Sequence, residues 1–184
     1  MDELLNLVFI DTETSSLYSK YGEILQLSAL KVVGIKDGKM EVAKFNEFIA
    51  PSENIRIDEE AMRINQIPLE KCTADKTDVF TRFMEFCEGR KVVGYNVGYD
   101  IRYIMDDMEK IGLDCGRMFY NSIDVYKEVQ YRRLPTINNK LTTIAEHFGA
   151  DVSNAHDSAA DCMLTMFVYM QLRGYNLHVN KRKG

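Results

Sequence analysis

The apolar run Leu5-Asn6-Leu7-Val8-Phe9-Ile10 ends abruptly in Asp11-Thr12-Glu13-Thr14. From Leu5 to Asp11 the segment is too short for a helix and reads as a buried strand. Side chains at i and i+2 of a strand share a face, so Asp11 and Glu13 converge at its C-terminal end. Two carboxylates aimed together from a buried strand repel, and each raises the other's pKa unless a cation sits between them. Mg²⁺ or Mn²⁺ is the natural compensation, because hard oxygen ligands suit hard cations. Taken alone, an acidic pair at a strand end is equally what a solvated edge carries.

Two further strand-like runs follow, Glu23 to Val33 and Lys39 to Ile49, parted by a turn at Gly34-Ile35-Lys36-Asp37-Gly38. Three consecutive strands imply a meander. The periodicity then changes: Val79, Phe80, Phe83, Phe86 and Cys87 recur at helical spacing, and Gly89 stands where the helix should stop. A strand from Lys91 to Tyr95 leads into a helix bearing Ile101, Ile104, Met105, Met108 and Ile111, closed by Gly112. A short strand is predicted near Ser122 to Val125, then a polar connection through Arg132, Arg133 and Pro135. Leu141, Ile144, Ala145 and Phe148 predict another helix, and a last one runs from Ser158 to Arg173 with Asp157 or Ser158 as its cap. Strands followed by alternating helices and strands make an α/β fold, a mixed sheet flanked by helices.

With 184 residues the chain fits one domain, taken as 1–176, with a short basic tail over 177–184. A chain of this size buries roughly 70% of its unfolded surface, so disulfides are not needed. Cys72, Cys87, Cys115 and Cys162 form no C-x-x-C pair and have no His at zinc spacing, and they read as reduced thiols. Met1-Asp2-Glu3-Leu4 carries acids where a signal peptide needs bases, and no stretch approaches membrane-spanning length. The expectation is a cytoplasmic protein without membrane contact. Lys plus Arg number 23 against 28 Asp plus Glu, a net charge of -5. That balance argues against a protein that coats nucleic acid by displacing phosphate counterions, though not against an enzyme that acts on it.

Two more sites carry chemistry. In Gly94-Tyr95-Asn96-Val97-Gly98-Tyr99-Asp100, Asn96 is placed to cap a helix and Asp100 falls in its first turn, where the helix dipole favours an ionised acid. In Ala155-His156-Asp157-Ser158-Ala159-Ala160-Asp161, His156 precedes a helix and Asp161 lies in its first turn, so both can face one point. Separately, Asp100 is an ordinary first-turn acid and His156 an ordinary surface or capping residue.

Together and in this order, the three motifs resemble those of the DnaQ-like 3′-to-5′ exonucleases of the DEDDh class, which include the proofreading subunit of bacterial replicative DNA polymerase. Asp11 to Leu17 is similar to D-x-E-T-T-G-L, Gly94 to Asp100 to G-H-N-x-x-F-D, and His156 to Cys162 to H-x-A-x-x-D-A. The resemblance covers Val8 to about Leu172. It implies an RNase H-like mixed sheet in which Asp11, Glu13, Asp100 and Asp161 hold two divalent metal ions, Mg²⁺ or Mn²⁺, across the scissile phosphate, with His156 as general base. It further implies release of nucleoside 5′-monophosphates from single-stranded 3′ ends, of DNA before RNA, and a polymerase or repair setting. Thr12, Leu17, Glu60, Ile64, Asn65 and Asn96 are the implied substrate contacts, and Asp124 is read as structural.

The pattern also departs from the family. Ser16 replaces a Gly, Tyr95 the common His, and Asn65-Gln66 a His-Gly pair. An oligoribonuclease-like RNA exonuclease on the same scaffold stays open, because selectivity rests on how the pocket treats a 2′-OH. A haloacid dehalogenase-type phosphatase is disfavoured by Glu13 and by the match from Asn96 to Asp100. A non-catalytic binding module would be expected to lack a metal ligand, and none is missing. Without a broad basic face, binding is expected to be short, helped by Lys140 or the Lys181 to Lys183 tail, in an enzyme that is distributive or depends on a partner for processivity.

Overall fold

The computed structural model describes residues 2–153, 155, 157–175 and 178–179. The elements are α1 (Asp2–Leu5), β1 (Leu7–Thr14), β2 (Ile24–Lys36), β3 (Lys39–Phe48), α2 (Glu59–Asn65), a 3-10 turn at Leu69–Lys71, α3 (Lys76–Cys87), β4 (Lys91–Gly94), α4 (Gly98–Lys110), β5 (Ile123–Asp124), α5 (Val125–Arg132), α6 (Leu141–His147), α7 (Ser158–Leu172) and β6 (His178–Val179). The strands form one mixed sheet in the order β5-β4-β1-β2-β3-β6. β1, β2 and β3 are the expected antiparallel meander, while β4 pairs parallel with β1 and β5 parallel with β4. This is the RNase H-like sheet.

Several boundaries move. Leu5 closes α1 instead of opening β1, and β1 continues past Asp11 to Thr14 because β2 pairs with it as far as Thr14↔Ile24. β2 likewise runs on to Lys36 across a register shift between Val32 and Gly34. The turn shrinks to Asp37-Gly38, both at positive φ (50° and 70°), the two-residue geometry that matches strand twist. The polar stretch after Asp124 is a helix, α5, which buries only Val125 and Val129 and is capped by the Asp124 side chain accepting from the Tyr126 N–H at 3.1 Å. Of the segment read as a tail, His178–Val179 pair with Lys39–Met40 as β6, and residues 180–184 lie outside the described set.

β1 separates two cores. Leu7 and Phe9 pack on the α7 side with Tyr169 and Met166, and Val8 and Ile10 on the other side with Phe80, Phe83, Tyr103 and Ile104 from α3 and α4. The alternation places odd-numbered residues of β1 toward α7 and even-numbered ones toward α4. Phe9 and Tyr169 meet edge to face at 5.5 Å and 76°, a geometry worth about 0.5–1.5 kcal/mol beyond area burial. All four cysteines are free thiols, three buried and Cys115 half-buried. Among the described residues no helix is long and apolar enough to cross a membrane.

Candidate active site

Asp11 and Glu13 continue the odd row of β1 toward α7, whose first turn carries Asp161. β2 sets where that helix begins. Ser28 lies opposite Asp11 and Gln26 opposite Glu13. The Ser28 hydroxyl meets the Ser158 hydroxyl at 2.6 Å, and the Gln26 amide donates to Asp157 Oδ2 at 3.2 Å. Asp157 caps α7 by accepting from the Ala160 N–H at 3.1 Å. The neighbours of the two strand carboxylates thus hold the start of α7, and one oxygen each of Asp11, Glu13 and Asp161 lie within 4.8 Å of one another.

Asp100 arrives from the opposite face. β4 follows β1 only as far as Phe9↔Val93, so beyond that point α4 takes the place of a neighbouring strand. Gly94 makes this close turn possible: a Cβ there would stand 2.6 Å from Val97 Cγ2 and 3.3 Å from the Ile10 carbonyl oxygen. The Thr12 N–H and hydroxyl both donate to Asp100 Oδ1, at 3.0 and 2.8 Å. Asp11, Glu13 and Asp161 therefore form one tight set, with Asp100 held beside it by the residue between the two strand carboxylates.

The electrostatics follow from this crowding. Burial, then the charges of Asp100, Asp161, Glu13 and Asp157, push Asp11 well above the usual carboxylate range. Burial first and the charges of Asp161, Asp100 and Asp157 second lift Glu13 to about 8. Burial raises Asp100 to about 7 against the opposing pull of its bonds from Thr12. An all-oxygen donor set that repels itself this strongly at neutral pH fits hard divalent cations. Asp157 was legible in the sequence only as a cap, yet it also adds to the negative field at Asp11 and Glu13.

The remaining predicted residues fall into four groups. Leu17 and Ile64, each 41% exposed, and Glu60 lie at the surface of the Ser15–Gly22 loop and α2. Thr12 and Asn65 are buried and committed to the protein itself. The Asn65 amide donates to the Thr14 carbonyl at 3.0 Å and its oxygen accepts from the Ile67 N–H at 3.1 Å, so it ties α2 to the end of β1. Asn96 does not cap α4. It sits exposed at φ 60° with its N–H donating to Asp124 Oδ1 at 3.0 Å, and Val97 takes the cap position. His156 lies outside the described residues.

Ser16, where the family pattern has Gly, is fully buried. Its hydroxyl donates to Asp58 Oδ2 at 2.5 Å, and its carbonyl accepts from Thr14 Oγ1 at 2.7 Å and from the Tyr103 hydroxyl at 2.5 Å. The substitution fastens the loop bearing Leu17 to the segment ahead of α2. None of this is visible as a motif, because Tyr103 and Asp58 are distant in sequence.

Thr12→Val removes one of the two donors to Asp100. A hydrogen bond to a charged group contributes about 1.5–3 kcal/mol, so activity should fall about ten- to a hundred-fold. The acidic limb of the pH–rate profile should move to higher pH, since the ionised form of Asp100 loses support. An unmoved profile would show that Thr12 serves only to fill space.

A mixed RNase H-like sheet gathers carboxylates of a central strand and a flanking helix at one end, an arrangement whose oxygen donors suit a divalent cation. Residues 8–169 match the RNase T family model, described as "Exonuclease", and the chain belongs to this family. DNA polymerase III PolC-type of Lacticaseibacillus paracasei is 28% identical over 168 residues, 90% of this chain and 11% of that protein. The Clostridium perfringens protein of the same name is 28% identical over 161 residues, 86% of this chain and 10% of its own length. The chain thus spans about a tenth of these relatives. Among solved structures, E. coli exonuclease I in complex with a dT13 oligonucleotide superposes with a TM-score of 0.79 at 15% identity, covering 92% of this chain and 41% of that one. Cell-death related nuclease 4 gives 0.71 at 20% identity, covering 95% and 66%.

Proposed function

We propose that this protein removes nucleotides one at a time from the 3′ end of single-stranded DNA, releasing nucleoside 5′-monophosphates. The observation that carries this reading is the convergence of Asp11, Glu13 and Asp161 within 4.8 Å inside an exonuclease-family fold. The PolC-type relatives and the oligonucleotide-bound exonuclease I favour DNA over RNA and support a replication or repair setting.

Asp11, Glu13 and Asp161 would hold divalent cations, with Asp100 completing the set. When bound, two such ions supply Lewis-acid stabilisation of the phosphoryl oxygens and favour ionisation of the attacking water. The side chains do the rest. Thr12 orients Asp100, Asp157 and Ser158 fix the helix that presents Asp161, and His156, from its motif position, accepts the proton of the attacking water. Exposed Leu17 and Ile64 would flank the terminal base.

The test is a 5′-labelled single strand incubated with Mg²⁺ or Mn²⁺, as matched DNA and RNA, with free and with blocked 3′ ends. A ladder shortening from the free 3′ end of DNA, abolished by EDTA, is expected. Equal cutting of the blocked strand would sink the exonuclease reading, and faster cutting of RNA would overturn the substrate. His156→Ala should lower the rate about a hundred-fold or more while leaving metal affinity intact, as loss of a general base does.

A further inference from the structure

At the end of the sheet away from the carboxylates, a cavity of about 650 Å³ lies between the α3–β4 turn and the connection from α4 to β5. Lys91 opens β4 there and pairs with Leu7, four residues before Asp11, so the cavity stands about 13 Å along β1 from that acid at about 3.3 Å per residue. Its volume is within the range of sites that hold small organic ligands. Among its described lining residues the cations Arg90, Lys91 and Arg117 outnumber the acids Glu85 and Glu88, a local positive excess in a chain whose net charge is -5. Two cations here serve the end of α3: Lys31 Nζ donates to the Phe86 carbonyl at 2.9 Å, and Arg90 Nη1 reaches the Glu88 carbonyl at 3.4 Å. Arg90 Nε is different. Among the described residues it is buried without a hydrogen-bond partner, and a donor of a charged group is costly to leave unmet away from water. Burial first and the charge of Arg90 second lower the pKa of Lys31, so the cations crowd one another at this end of the sheet.

We propose that this cavity binds a nucleoside 5′-monophosphate, at a site separate from the carboxylates. The phosphate meets the unpartnered edge of Arg90, with Lys91 and Arg117 beside it, since a guanidinium fork is the side chain that best matches phosphate oxygens. Tyr120, 77% exposed, offers its ring to the base, and Met118 adds adjoining apolar surface. The Arg117 carbonyl accepts from the Tyr120 N–H at 3.0 Å, a single turn that keeps a phosphate contact and a base contact on one segment. Glu85 and Glu88 supply acceptors for a sugar hydroxyl, a use for acids that a bare anion site would not have. A molecule of this class is also what the proposed exonuclease releases, but the lining residues call for it without that reading.

The test is calorimetric titration of the whole protein in EDTA, where the mutually repelling carboxylates disfavour a phosphate at the active site. 2′-Deoxyadenosine 5′-monophosphate should bind at least about ten-fold more tightly than inorganic phosphate or deoxyadenosine, each of which makes only part of the contacts. Arg117→Gln and Tyr120→Ala should each weaken the nucleotide about ten-fold, the loss of one phosphate contact or one stacked base. Both side chains are exposed, so neither variant depends on refolding of a core. Cys115 lines the same cavity and is half-buried, whereas the other three thiols are buried. Its alkylation by iodoacetamide, followed on the Cys115 peptide by mass spectrometry, should slow several-fold when the nucleotide is bound. No binding at millimolar nucleotide, inorganic phosphate binding as tightly as the nucleotide, affinity unchanged in both variants, or alkylation that the nucleotide does not slow would each overturn the proposal. Binding with all the expected features in a protein that shortens no strand would uphold the site and sink the nuclease reading alone.

Discussion

Asp11→Asn is expected to abolish strand shortening while making the metal-free protein more stable. An Asp11 oxygen lies within 4.8 Å of those of Glu13 and Asp161, and Asp11 also feels the charges of Asp100 and Asp157, so its charge meets each of the other acids gathered here. Its loss should lower kcat by on the order of 10³ or more, the scale of removing a group that stabilises transition-state charge. Stability moves the other way. Folded-state pKa values raised above those of the unfolded chain, about 8 for Glu13 and about 7 for Asp100, mean that the folded form binds more protons than the unfolded one through the intervening pH range. These acids impose no such penalty below about pH 4, and stability is lost progressively as pH rises toward 8. Thermal melts in EDTA should therefore show Tm falling from pH 5 to pH 8 in the wild type and falling less in Asp11→Asn. Saturating Mn²⁺ should restore the wild type, by mass action on the folded state alone, and should help the variant less. A metal-free Tm that rises over this range would mean that the carboxylates are not in conflict.

Such a conflict of function with stability is also what made the site legible. Asp11 and Glu13 interrupt the row that begins with Leu7 and Phe9, and an acid that breaks an apolar row on a buried strand is visible in one dimension. The start of α7 was equally plain, because Asp157-Ser158 is a capping pattern ahead of a strongly apolar helix. Asp100 was found by its motif, but its approach from the opposite face of the sheet was not. That placement depends on where β4 stops, and only the pairing of β4 with β1 decides it. α5 was missed because a helix that buries two valines carries almost no periodic signal, its main determinant being the Asp124 cap. Asn96 failed as a cap for a related reason. Its left-handed conformation is imposed by the bond to Asp124, a partner 28 residues away.

The same kind of long-range contact underlies the second large effect, which concerns the base of the Leu17 loop. Lys76, 9% exposed, sits between Glu23, 3% exposed, and Asp107, fully buried. Its Nζ lies 2.6 Å from Glu23 Oε2 and 3.8 Å from Asp107 Oδ2, while Lys110, more open to solvent, reaches Asp107 Oδ1 at 2.8 Å and the Gly22 carbonyl at 3.1 Å. Glu23 also accepts from the Ser52 N–H and hydroxyl, both at 2.9 Å, and Asp107 accepts from the Ile24 N–H at 2.9 Å. Burial pushes Glu23 upward, but the bonds from Lys76 and Ser52 outweigh it and hold the group below its usual value. For Asp107, burial prevails over both lysines and leaves the group raised. Lys76→Met would leave two buried carboxylates with one half-solvated cation, and breaking a buried pair from one side costs about 3–5 kcal/mol. For a chain of this size that corresponds to a fall in Tm of roughly 6–20 °C. Replacing the set together, as Lys76→Met with Glu23→Gln and Asp107→Asn, should recover most of the loss, because the penalty belongs to the orphaned charges and not to the absence of an ion pair. A single variant that melts within about 2 °C of the wild type would show that water or Lys110 already satisfies both acids. Since Glu23 and Gly22 close the loop that presents Leu17, the single variant should also raise KM for the oligonucleotide at temperatures well below its Tm, and the triple variant should do so less.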